Sequence, residues 1–130
     1  MLRTQMSLIL PWQVTDLPKD FIREIREDGD RFVILDNGAA ENAAIGYQQL
    51  LNLAEVLRPD IIVVPDKLCD TDWSITQARE ASHMAKQTNA LLMAVAQGQR
   101  LEDVMKCVYA YAGMDHISWI ALPRILNHYF

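Results

Sequence analysis

The chain is poor in cysteine, in basic residues and in long apolar runs. Its two cysteines, Cys69 and Cys107, lie far apart and neither belongs to a CxxC pair. The three histidines follow no ligand spacing. Neither a disulfide framework nor a structural zinc is therefore expected, and both thiols should be reduced. Twelve Lys and Arg face seventeen Asp and Glu, for a net charge of −5. That balance argues against a protein that grips nucleic acid by bulk electrostatics, which needs clustered cations. The first twelve residues, MLRTQMSLILPW, hold an apolar run too short for a signal peptide or a membrane span. The expectation is a cytoplasmic protein without membrane attachment. Glycine is also scarce, five in all, with no GxGxxG or Walker pattern.

What remains is an ordinary globular composition, 51% hydrophobic and 22% charged over 130 residues. That is enough for one domain, residues 1–130, with a single core. Short apolar runs recur at even spacing: SLIL (7–10), FVIL (32–35), IIVV (61–64), LLMAVA (91–96) and ISWIAL (117–122). None alternates cleanly with polar residues, which predicts parallel strands buried on both faces. Between them the apolar residues take helical spacing. Tyr47, Leu50, Leu51, Ala54 and Leu57 line one face, and Leu101, Val104, Met105, Val108 and Ala112 line another. PKDFIREIRED points Phe21, Ile22 and Ile25 inward, and WSITQAREASHMAK buries Ile75, Ala78 and Ala85. Pro59 should stop the second helix, Asp72 should cap the third, and Gly113 should end the fourth as a C′ glycine.

The chain thus reads as an α/β protein, β-α-β-α-β-α-β-α-β, with five strands and four helices in units of about 25–30 residues. Two architectures fit such a repeat: an open doubly wound sheet, or a segment of a (βα)₈ barrel, for which about 250 residues is typical. In both, ligands bind at the carboxyl ends of the strands. Four successive ends carry polar groups or a turn: Asp36-Asn37-Gly38, Asp66 after Pro65, Gln97-Gly98, and Pro123-Arg124. Each alone is an ordinary strand exit, since Asp, Asn and Gly are turn residues for local reasons. Together they place two carboxylates and an amide on one rim. Adjacent strands lie about 4.8 Å apart, so Asp36 and Asp66 would be close enough for one charge to raise the other's pKa, as acid/base work requires. Lys67 and Arg124 lie nearby and could meet a phosphate. Trp73 and Trp119 read as core or interface aromatics, and CVYAYAGM as a packed helix face.

FVILDNGA, PDIIVVPDKLCD, LLMAVAQG and HISWIALP, in this order over roughly residues 30–123, resemble the queuine/archaeosine tRNA-guanine transglycosylases. The likeness is greatest to the phage and bacterial branch that inserts 7-deazaguanines into DNA. The resemblance implies a partial TIM barrel, about half of one, and a guanine or 7-deazaguanine base exchanged in tRNA or DNA. It implies that Asp36 acts as general acid/base and that Asp66, Gln97 and Gly98 hold the base. It implies no cofactor, and the family's zinc motif is absent here. The family's nucleophilic aspartate falls on a later strand, beyond residue 130, so the site is expected to be completed by self-association or a partner chain. IALPR replaces the family's usual Gly-rich strand end. The other readings are a non-catalytic base-binding or assembly fragment of that fold, and an unrelated flavodoxin-like domain for a small ligand. Strand order separates them: 1-2-3-4-5 for a barrel segment, 2-1-3-4-5 for a flavodoxin-like sheet. The C-terminal ILNHYF is a candidate self-association surface.

Overall fold

The structure, a computed structural model, describes residues 5–27, 29 and 31–123. Five parallel strands alternate with helices: β1 Gln5–Ile9, α1 Pro11–Asp16, α2 Lys19–Glu27, β2 Arg31–Leu35, α3 Tyr47–Leu57, β3 Ile61–Val63, α4 Thr71–His83, β4 Leu91–Val95, α5 Leu101–Ala112 and β5 Ile117–Ala121. Single 3₁₀ turns follow β2 at Ala39–Glu41 and α4 at Ala85–Gln87. Every strand pairs with its sequence neighbours in the order β1-β2-β3-β4-β5. That is the order of a barrel segment, and it excludes the flavodoxin-like alternative.

Consecutive order has a further consequence. Crossovers of one hand that always step the same way put every helix on the same face of the sheet. Val33, Leu35, Ile62, Val64, Leu92, Ala94 and Ala96 form a single core cluster with the helices. Their partners there include Ile22 and Ile25 of α2, Leu50 and Leu57 of α3, Ile75 and Ala78 of α4, and Val104, Cys107 and Tyr111 of α5. The expected burial of the strands on both faces holds only for the central β3. Along β1, Met6 and Leu8 are exposed, as is Trp119 on β5.

Local signals mostly act where expected. All five apolar residues of the α3 stripe are buried. Arg58 ends α3 in a left-handed conformation before Pro59. Asp60 then ties β2 down, its carboxylate accepting from the Val33 N–H at 2.7 Å while its own N–H donates to the Val33 carbonyl.

Several details differ from expectation. Among the described residues there are five α-helices rather than four: Pro11 opens the short α1, whose N-terminus is closed by the Gln13 side chain accepting from the Leu10 N–H. Pro is favoured at this first helical position, having no N–H to leave unpaired. Phe21 lies on the outer face of α2. The buried stripe of α5 is Val104, Cys107 and Tyr111, and Ala112 is exposed. Tyr111 turns inward because its hydroxyl finds the Val95 carbonyl at 2.8 Å, and burial pushes its pKa upward. Asp70, not Asp72, caps α4 by accepting from the Trp73 N–H, and Asp72 instead accepts from Lys106 on α5. Gly113 ends α5 with right-handed rather than left-handed backbone. Ala85 is only half-buried, and Trp73 and Trp119 are exposed at 39% and 50%, so neither is a core residue. No helix among the described residues is long and apolar enough to cross a membrane.

Candidate functional site

The carboxyl ends of β2, β3 and β4 meet in a buried polar cluster. Asp66 is at its centre, 5% exposed, one residue past Pro65. One Asp66 oxygen, Oδ1, accepts from the Asn37 side-chain amide at 2.5 Å, and Oδ2 accepts from the Gln97 amide at 2.6 Å. The two amides come from the strands on either side, so the carboxylate is clamped between neighbours in the sheet.

The orientation of each amide is fixed from behind. The Asn37 Oδ1 accepts from the Ala39 N–H at 2.8 Å, which leaves its NH₂ for Asp66 and for the Val64 carbonyl at 2.7 Å. The Gln97 Oε1 accepts from the Cys69 N–H at 3.3 Å, which turns its NH₂ toward Asp66. An amide has distinct donor and acceptor ends, and here each end has its complement. The Gln97 backbone is held in turn. Its carbonyl accepts from the Thr71 hydroxyl at 2.6 Å, and its N–H meets the Cys107 sulfur at 3.4 Å.

Burial raises the Asp66 pKa above the ordinary carboxylate value. The two amide hydrogen bonds favour the ionised form and pull it back, and the neighbouring Asp36 charge pushes it up again. The net direction is upward because desolvation is the largest of these influences.

Asp36 belongs to the same rim but to the other side of the sheet. Val33 and Leu35 face the helices, so alternation turns Ile34 and Asp36 toward the opposite face. Asp36 continues the ladder through its N–H to the Ile9 carbonyl, is half-buried, and makes a long contact from Oδ2 to the Gly38 N–H at 3.4 Å. It therefore keeps an oxygen open while Asp66 has none unengaged. Gly38 makes the turn possible. Its φ is +80°, and a Cβ there would lie 2.6 Å from the Ala43 carbonyl oxygen. Gly98 serves close packing, since a Cβ on it would overlap the Asp103 side chain at the start of α5.

Of the residues expected at the site, Asp36, Asp66, Gln97 and Gly98 share one rim. Lys67 is exposed and pairs with Asp70 at 3.9 Å, outside the cluster. Arg124 and the ILNHYF segment lie outside the described residues. By its sequence context Asn37 is a turn residue, whereas in the structure its side chain reaches Asp66. Thr71 and Cys107 gave no sequence signal, because their role depends on packing α4 and α5 against the end of β4.

A depression of about 970 Å³ lies elsewhere, at the amino ends of the strands between Arg26, Phe32, Arg58, Asp60, Lys86 and Leu91. The buried carboxylate and the oriented amides lie at the opposite rim. A smaller apolar hollow of about 470 Å³ opens beside that rim, walled by Pro11, Trp12, Ala43, Ile45 and Leu53, with Trp12 packed against Gly38. Among the described residues no three His, Cys, Asp or Glu side chains converge to hold a metal ion. The chain matches no protein-family model and no curated protein at significance.

Proposed function

We propose that this rim is the base-recognition half of a nucleobase-exchanging site of the transglycosylase type, taking guanine or a 7-deazaguanine from tRNA or DNA. The observation that carries the reading is the amide-clamped, buried Asp66 with Asp36 beside it at adjacent strand ends. Each carboxylate oxygen has two acceptor directions, and the clamp occupies one of each. A ligand edge with two parallel N–H donors, such as the N1–H and exocyclic amine of a guanine-type base, matches what remains. Asp36, with its raising effect on Asp66 and its more open oxygen, is the proton-handling group. Breaking an N-glycosidic bond also needs a carboxylate against the sugar carbon, the logic of retaining glycosidases. Neither Asp36 nor Asp66 is assigned to that step, which falls to a partner chain. A base within a duplex would first have to be flipped out.

The deciding experiment is calorimetric titration of the protein with guanine and with a 7-deazaguanine, beside a labelled-base exchange assay on DNA and tRNA. The reading expects base binding that Asp66→Ala abolishes, with Asp36→Ala affecting exchange more than binding. If wild-type protein neither binds nor exchanges a base, the reading fails.

A second reading rests on a specific observation: both Asp66 oxygens and both amides already have internal partners. On it the cluster is a brace that locks the ends of three strands, and the chain is an assembly fragment without a ligand. It expects Asp66 substitutions to lower stability while wild-type protein binds no base.

A further inference from the structure

The sheet face opposite the helices is apolar, and its exposure is graded. On the central strand Ile61 and Val63 are 1% and 4% exposed, although both lie outside the helix-facing cluster. Toward the edges the same face opens, with Met6 at 70%, Leu8 at 57% and Trp119 at 50%. Every crossover helix lies on the other side. A sheet that curves toward this face, as a barrel wall does, has this gradient of exposure.

We propose that this face is the interface for a second copy of the chain. Three features point to that occupant. The first is area. At roughly 200 Å² for a large side chain, Met6, Leu8, Leu91 and Trp119 alone expose on the order of 450 Å², as much as the largest patch on a typical monomer. With the half-buried Phe32, Ile34, Met93 and Val95, the face exposes on the order of 600 Å², about three quarters of the roughly 800 Å² per partner of a standard stable interface. The second is charge. The chain carries a net −5, yet among the described residues the only charge that alternation places on this face is Asp36, at its carboxyl rim. Two copies can meet without burying like charges in the centre.

The third is the pair of open edges. Among the described residues β1 and β5 each have one neighbour, and both run parallel to the rest of the sheet. Exposed edges of this kind are templates for pairing. β5 of one copy can extend onto β1 of the other in the parallel sense only if the two-fold axis runs along the strands. That arrangement closes both edges at once, keeps all helices outside and encloses the apolar faces. Two five-stranded sheets close a ring wider than an eight-stranded barrel. The bulk of Met6, Phe32, Met93 and Trp119, where a tight barrel uses Val, Ile and Leu, suits the wider interior. It also brings the two Asp36 rims to one shared mouth. The inference does not rest on the ligand proposed above.

The test is sedimentation equilibrium of the whole chain across the micromolar range. The expected species is a dimer. Leu8→Lys with Trp119→Lys should weaken it about a hundredfold or more, since two apolar anchors are replaced by charge. Val56→Lys, on an equally exposed residue of α3, should leave it unchanged. Circular dichroism establishes that the variants are folded. Hydrogen exchange on wild-type protein adds an independent reading: amide protection in β1 and β5 should rise with concentration. A monomer throughout the range, or a dimer insensitive to the face variants, or β1 and β5 edges unprotected in the dimer, would overturn the proposal.

Discussion

Asn37→Ala is the most informative single perturbation of the rim. The side chain makes three contacts: to Asp66 at 2.5 Å, to the Val64 carbonyl at 2.7 Å and from the Ala39 N–H at 2.8 Å. Removing it withdraws one charge-assisted bond, worth about 1.5–3 kcal/mol, from a carboxylate that stays buried. The Val64 carbonyl loses this partner too, and an unsatisfied buried acceptor costs roughly 1–3 kcal/mol. The expected loss is about 3–5 kcal/mol, a large part of the roughly 5–15 kcal/mol that holds a domain of this kind together. Urea unfolding at neutral pH measures it, as a lower midpoint with an unchanged slope. A second readout follows from the same geometry. The Asn37 bond favours the ionised form of Asp66, so its loss should raise the Asp66 titration midpoint further, followed by the carboxyl carbon shift. A stability loss under about 1 kcal/mol together with an unmoved midpoint would refute the clamp.

Three further outcomes are expected. Because burial raises the folded-state pKa of Asp66, the native form keeps its proton over the pH interval between the unfolded and the folded pKa, where the unfolded chain has released it. This group's contribution is therefore fully present below the unfolded pKa and is lost as pH rises through the folded one. Urea midpoints between mildly acidic and neutral pH should show that decline in wild-type protein relative to Asp66→Asn, and an identical pH dependence in both would count against it. Gly38→Ala forces a side chain onto φ +80° beside the Ala43 carbonyl and should cost about 2 kcal/mol or more in thermal or urea unfolding. Asp70→Ala removes the cap on the Trp73 N–H and should cost about 1 kcal/mol, whereas Asp72→Ala, which breaks only an exposed pair with Lys106, should cost less. Equal losses at the two positions would reverse the assignment of the cap.

The strands, most of the helices and the rim could be read along the chain because each is a local pattern. An apolar run four to six residues long and bounded by turn residues has few other uses, and the stripe Tyr47–Leu57 has one amphipathic solution. The position of Asp36, Asp66 and Gln97 at strand ends follows from the same runs. Helix rotation and partner choice are not local properties. Phe21, Met105 and Ala112 satisfy helical spacing as well as their neighbours do, and only the docking angle of α2 and α5 decides which residues go in. Asp70 and Asp72 are equally good caps by composition; Lys106, thirty-four residues from Asp72, holds the latter outward.

The sequence by itself determined the alternation of strand and helix, the α/β class and the rim on which the polar residues gather. Those properties depend on period and turn chemistry within short windows. Only the tertiary structure decided the strand order, and with it that one face of the sheet is left to the outside. Only the tertiary structure decided that Asn37 rather than Asp36 grips Asp66. One residue's difference in register sends neighbouring side chains to opposite faces of a strand, and which face holds the partner depends on elements far away in the chain.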